Sequence, residues 1–296
     1  MTKKIAVIND LSGFGRCSLT AAISVLSAMG VSACPLPTAI LSAQTGYPSY
    51  FCDDYTDKME NFRREWEKMN VSFDGIYTGY VASEQQIENI FHFLDTFMKE
   101  DTFLLVDPVM GDNGHVYSMY TNRLLDQMRK LVSKARVTTP NLTELCLLEQ
   151  EDYTLLESMT DQKAFFAKIE AMAKNLVTKG PSTVLVTGIP FVEKESNIRQ
   201  MGNLAVTKTK TTLAAFPYTG GSYSGTGDLF ASVIAAALAR NIEPERSMEL
   251  AGRFIERSIL DTAAEEIPGN DGINYEQHLG SLILELNTMI SKEDQL

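Results

Sequence analysis

The chain has 296 residues with 26 Lys+Arg, 38 Asp+Glu and a net charge of −12; 44% is hydrophobic and 22% charged. That length buries a sizeable core and that composition is ordinarily globular, while an acidic balance without a basic run excludes a nucleic-acid partner. No apolar run reaches the ~20 residues of a membrane span, and the opening MTKKIAVIND has no secretory apolar region, so no membrane partner and a cytoplasmic location are expected.

Residues 4–8 (KIAVI) form a short apolar run that predicts a buried strand, followed by a loop over 9–17. Residues 18–29 predict a helix, capped by Ser18 and stopped at Gly30. A strand is expected at 32–36, then the loop LSAQTGYPSY and a polar helix over 54–70. Residues 74–78, 102–106, 136–139 and 183–187 predict further strands, and 83–99, 122–132, 141–149 and 162–178 predict the helices between them. Residues 192–202 read as a flap or a surface loop, and 203–216 as a hairpin about Lys208-Thr209-Lys210. Helices close the chain at 229–240, 244–262 and 275–290. The alternation predicts one α/β domain over 1–296, with a mostly parallel central sheet and helices on both faces. A ligand crevice is then expected at the carboxyl ends of the strands. Cys17, Cys34, Cys52 and Cys146 are scattered without C-x-x-C pairing and read as reduced thiols.

Three loops carry candidate chemistry. Ser224-Gly225-Thr226-Gly227-Asp228 opens an apolar helix, which offers unpaired amides to an anion; the same residues also read as a glycine turn with an acidic cap. Asp107 ends a buried strand and Asp112 follows five residues on, a pair suited to a hydrated Mg²⁺ or to a simple Asp-Pro turn. Asn141 and Glu144 have capping-box spacing, and the same two side chains can face the crevice. There is no P-loop, no complete dinucleotide fingerprint, no G-x-S-x-G and no H-E-x-x-H; of the histidines only His115, in the DPVMGDNGH loop, is a candidate for touching a ligand.

In order, PLPTAILSAQTGY, TGY, DPVMGD, TPNLTEL, GPSTVLVTG and SGTGDLFAS resemble the pyridoxal (vitamin B6) kinases, whose fold is the three-layer ribokinase-like one, over about residues 4–240. The resemblance implies ATP-dependent phosphorylation of a hydroxymethyl group on a pyridine. It implies Asp228 as base and Gly225, Thr226 and Gly227 as an anion hole over the transferring phosphoryl group. Asp107, Asp112 and Glu144 would organise Mg²⁺, partly through water. Asp107, Asn141, Glu144 and Thr187 would serve ATP, together with the Gly225–Gly227 amides. Thr45 and Tyr80 would face the ring, with Asp10 and Ser12 beside it and Tyr117 near the phosphates. A homodimer is implied, and a monovalent cation is left open. One departure stands out: where the family has Ser after its first strand, this chain has Asp10, and an anion there favours a cationic group such as the pyridoxamine ammonium. A hydroxymethylpyrimidine kinase of the same superfamily and a non-catalytic pyridoxal phosphate binder are the alternatives.

Overall fold

A computed structural model describes residues 2–293. The chain runs through β1 (Lys4–Ser12), α1 (Ser18–Ala28), β2 (Ser32–Leu41), β3 (Cys52–Asp54), α2 (Thr56–Lys68), β4 (Gly75–Thr78), α3 (Glu84–Phe97) and β5 (Phe103–Val106). A small hairpin, β6 (Gly111–Asp112) with β7 (His115–Val116), precedes α4 (Asn122–Val132), β8 (Val137–Thr138), α5 (Leu142–Glu149), α6 (Tyr153–Glu157) and α7 (Gln162–Thr178). Then come β9 (Thr183–Val192), β10 (Arg199–Thr207), β11 (Thr211–Pro217), α8 (Thr226–Ala239), α9 (Pro244–Ala264) and α10 (Leu279–Glu293).

Nine strands form one sheet in the order β11-β10-β9-β8-β5-β4-β1-β2-β3. The run from β2 to β9 is parallel, and β3, β10 and β11 add antiparallel edges. Alternate strand residues feed two cores. Ile5, Val7 and Leu185 meet α1, α8, α9 and α10 on one face, whereas Ala6, Ile8, Val184 and Val186 meet α2 through α7 on the other. The fold is therefore three-layered α/β. Among the described residues no helix is long and apolar enough to cross a membrane.

Two strands outrun their apolar stretches. β1 continues through Asn9, Asp10 and Ser12, so the expected loop begins only afterwards. β2 accommodates Pro35 and Pro37 because its outer side is unpaired there; β3 joins only at Ala39–Leu41. The α1 start also differs from expectation. Ser18 is not the cap: Cys17 holds that position without a side-chain bond, and Ser18 adopts φ 54. The stretch 192–202 is the end of the β9–β10 hairpin. α8 is buried on every side from Leu229 to Ala239, and its alanines let it lie tightly between the sheet, α1 and α9. Whatever projects from its first turn is rigidly held.

Candidate active site

The polar end of β1 meets the first turn of α8 through Asn9 and Asp228, and Asp107, just after β5, lies near the same turn. Gly225 precedes that helix at φ 80, and a Cβ there would lie 2.1 Å from the Arg16 carbonyl oxygen. Only glycine lets the loop rest against the Arg16–Cys17 backbone. The amides of Thr226, Gly227 and Asp228, in the first turn, have no acceptor within the helix. No atom lies within 4 Å of where a Gly227 Cβ would stand, so the positive end of α8 opens onto free space.

Asp228 is clamped at this helix start. Asn9 Nδ2 donates to Asp228 Oδ1 at 2.9 Å, and the Ser18 N–H is close enough to favour the ionised carboxylate. Burial, with the Asp10 carboxylate nearby, pushes the Asp228 carboxyl up to about 6 against the pull of those donors. Its electrostatics suit a group that accepts a proton near neutral pH.

Asp10 is buried at the end of β1. Its carboxylate accepts the Ser12 hydroxyl at 2.8 Å, and burial raises its pKa against the pull of the Ser12 and Ser18 hydroxyls. Tyr80 and Cys52 stand near it. Asp10 thus binds Ser12, as a loop-capping reading requires, while staying within the cluster beside Asp228. Thr45 is exposed on the loop after β2, and buried Gln44 anchors that loop instead. Gln44 Nε2 donates to the Asn270 carbonyl at 3.0 Å and to Ser224 Oγ at 3.3 Å, and the Tyr47 hydroxyl donates to Asp271. The ring-facing loop expected from the sequence is therefore tied to residues 269–271 and to the approach to α8.

The acids behind this centre only partly match expectation. Asp107 and Glu144 are both buried. Asp107 Oδ1 accepts the Thr139 hydroxyl at 2.8 Å, and Glu144 accepts the Met110 N–H at 3.1 Å and the Asn141 N–H at 2.8 Å. Burial drives both carboxyls upward; the Asp228 charge adds to the cost of ionising Asp107, and the Asp107 charge to that of Glu144. Asp112 stands at the edge of this pair, close enough to add to the cost of ionising Glu144. It is exposed in β6 and accepts the Asn113 N–H and side-chain amide, each at 2.9 Å, because the tight β6–β7 turn engages it locally. Among the described residues no three His, Cys, Asp or Glu side chains gather closely enough to hold a metal ion. Of the three acids read from the sequence, Asp107 and Glu144 form a buried pair and Asp112 is exposed.

That pair fits a hydrated divalent cation. The charges that act on Asp107, Glu144 and Asp228 are those of other carboxylates, and among the described residues none of these acids forms an ion pair with a lysine or arginine. The buried Tyr120 hydroxyl beside Glu144 and Tyr80 has no partner. Mg²⁺ keeps several waters and takes only one or two protein carboxylates, so two acids suffice.

Asn141 forms the full capping box with Glu144, and its Nδ2 donates to the Gly111 carbonyl at 2.9 Å. Thr187 lies alongside through a parallel bridge and donates its N–H to Pro140 at 2.9 Å. Tyr117, 40% exposed, follows the hairpin near Glu144 and Asp112, and His115 is exposed in β7. Sequence reasoning missed Asn9, Ser18 and Thr139. The available signal for Asn9 was an amide directly after a buried apolar run; Ser18 and Thr139 gave none beyond their positions.

The family model described as phosphomethylpyrimidine kinase matches residues 15–271. The chain belongs to that family. A Bacteroides thetaiotaomicron protein provisionally assigned as a phosphomethylpyrimidine kinase, in a crystal form with pyridoxal, is 37% identical; the match covers 95% of this chain and 96% of that one, with a TM-score of 0.87. The pyridoxine/pyridoxal/pyridoxamine kinase of Bordetella avium is 26% identical over 84% of this chain and 82% of its own. A provisional pyridoxal kinase of Schizosaccharomyces pombe is 26% identical over 60% of this chain, which spans half the length of that relative. The relatives similar to this chain thus include kinases named for the vitamers that the motif order indicates.

Proposed function

We propose that this chain transfers the γ-phosphoryl group of ATP to the 5′-hydroxymethyl group of a B6 vitamer, with Asp228 as the base. The observation that carries this reading is the placing of one raised, clamped carboxylate in the same turn as three free helix amides. The relatives' names and the pyridoxal in the Bacteroides crystal supply the substrate class.

In this reading the hydroxymethyl oxygen attacks the γ-phosphorus in line, the bond to the ADP oxygen breaks, and Asp228 takes the hydroxyl proton. The Gly225–Asp228 turn holds the equatorial oxygens as charge develops on them. Asp107 and Glu144 would hold Mg²⁺ through its waters, and the ion supplies neutralisation of the phosphate charge. Asn141 and Thr187 position the nucleotide side of the crevice. Asp10, Ser12 and Tyr80 line the ring side, and Thr45 closes over it from its loop. A homodimer is part of the same reading.

A pyrimidine alcohol is the second reading. The family description favours it, and the Asp10 carboxylate suits an exocyclic amine as well as a vitamer ammonium. A non-catalytic phosphate-ester binder has no use for the clamped base. An ADP-release assay with pyridoxal, pyridoxine, pyridoxamine and hydroxymethylpyrimidine separates these readings. ADP release with a vitamer at higher kcat/KM than with the pyrimidine is expected; the reverse order assigns the pyrimidine, and no release with any of them refutes both.

A further inference from the structure

We propose that Asn9 is a positioning residue that makes the ring-side loop and the proton-accepting carboxylate one rigid unit. This rests on the reading of Asp228 as base. Asn9 is fully buried, and its amide is used at both ends. Nδ2 donates to Asp228 Oδ1 at 2.9 Å, while Oδ1 accepts the Tyr80 N–H at 2.8 Å and the Asp10 N–H at 3.0 Å. One planar group therefore joins the end of β1, the loop after β4 and the first turn of α8.

The surroundings are shaped to admit it. A Cβ on Gly79 would stand 2.5 Å from Asn9 Nδ2 and 2.6 Å from its Cγ, so the backbone after β4 closes directly onto the amide. The β1–β2 register shifts between Asn9 and Leu11, which frees the Asp10 N–H from the ladder, and the Asn9 oxygen takes it up. On the far side, Ser18 holds a positive φ of 54, and its N–H and hydroxyl favour the ionised forms of Asp228 and Asp10 respectively. Backbone strain at that serine is tolerated where surrounding bonds over-determine it.

A neutral amide is the apt donor. It fixes the direction of the Asp228 carboxylate without an adjacent positive charge, which would make the carboxylate a poorer base. Because the same amide holds Tyr80, a substrate that displaces the ring-side loop also turns the base away from the hydroxyl. A misplacement of about 1 Å at a reacting group costs on the order of 10²-fold in rate.

The test is a double-mutant cycle on ADP release, using the full-length chain, ATP and pyridoxal. Asn9→Ala is expected to lower kcat by about 10–100-fold while KM for ATP changes by less than about twofold. In an Asp228→Asn background the same substitution is expected to cost less than about twofold, because the group it positions is gone. Asn9→Asp covers the case in which Asn9→Ala does not fold, since a carboxyl oxygen still accepts the Tyr80 and Asp10 amides; it is expected to fold with a lower melting temperature, because another buried carboxyl then stands against Asp228, and to lose turnover. Equal losses from Asn9→Ala in both backgrounds, or wild-type turnover in Asn9→Asp, overturn the inference and leave the base assignment standing. Wild-type turnover in Asp228→Asn alone overturns the base assignment instead.

Discussion

Replacing Gly225 or Gly227 by alanine separates backbone necessity from catalytic use within one turn. At Gly225 the backbone sits at φ 80 and ψ 0, which costs an L-residue roughly 1–2 kcal/mol. The added Cβ would also lie 2.1 Å from the Arg16 oxygen and 2.9 Å from both the Arg16 carbonyl carbon and Cys17 Cα. To regain van der Waals contact, the turn must retreat by about 1 Å. The obstacle is backbone, so no side-chain rotation relieves it. The amides of Thr226, Gly227 and Asp228 move with the turn, and a shift of about 1 Å there predicts a loss near 10²-fold in kcat. Gly227→Ala meets no protein atom within 4 Å and should leave the fold intact. Its methyl group projects into the space assigned to the phosphoryl group, so turnover should fall without a drop in melting temperature. Thermal melts and steady-state ADP release on both variants provide the comparison. A Gly225→Ala protein that melts and turns over like wild type would refute the close packing, and wild-type turnover in Gly227→Ala would refute the anion hole.

Two further outcomes follow from the acidic cluster. Asp10→Ser should lower kcat/KM for pyridoxamine relative to pyridoxal, because it removes the buried anion opposite a cationic group; an unchanged ratio in paired assays would count against a ring-side role for Asp10. Burial raises the Asp228 carboxyl from the ordinary carboxylate range to about 6, so between about pH 4 and 6 the folded chain holds a proton that the unfolded chain has released. The ligand-free protein should therefore be more stable near pH 4.5 than at pH 7 as far as this group is concerned, with the contribution lost as pH rises through about 6. Melting temperatures of wild type and Asp228→Asn across that range check the sign, and the variant should lack this component.

Most of the fold was legible because buried parallel strands must be apolar and the helices between them periodic. The helix at Asn122–Val132 and the one at Gln162–Thr178 agree residue for residue with the expectation. What escaped were elements shaped by tertiary contacts. β3, β6, β7 and α6 are too short to carry a period. The polar end of β1 is strand because Asn9, Asp10 and Ser12 find partners in the site, information that no local pattern holds. At the site, the motifs located the α8 turn and the Asp107 and Glu144 loops. They did not reveal that Asp112 would accept bonds from Asn113 in its own turn, or that Gln44 would anchor the loop after β2. Those outcomes depend on which way a side chain turns within a loop, and loop sequences permit several answers.

The central claim is that Asp228 takes the substrate proton while the rest of the site holds nucleotide and metal. The most direct measurement pairs turnover with nucleotide binding in Asp228→Asn. The account predicts wild-type affinity for a non-hydrolysable ATP analogue with Mg²⁺ and a fall in kcat of roughly 10²–10⁴. Near-normal turnover in that variant would contradict it.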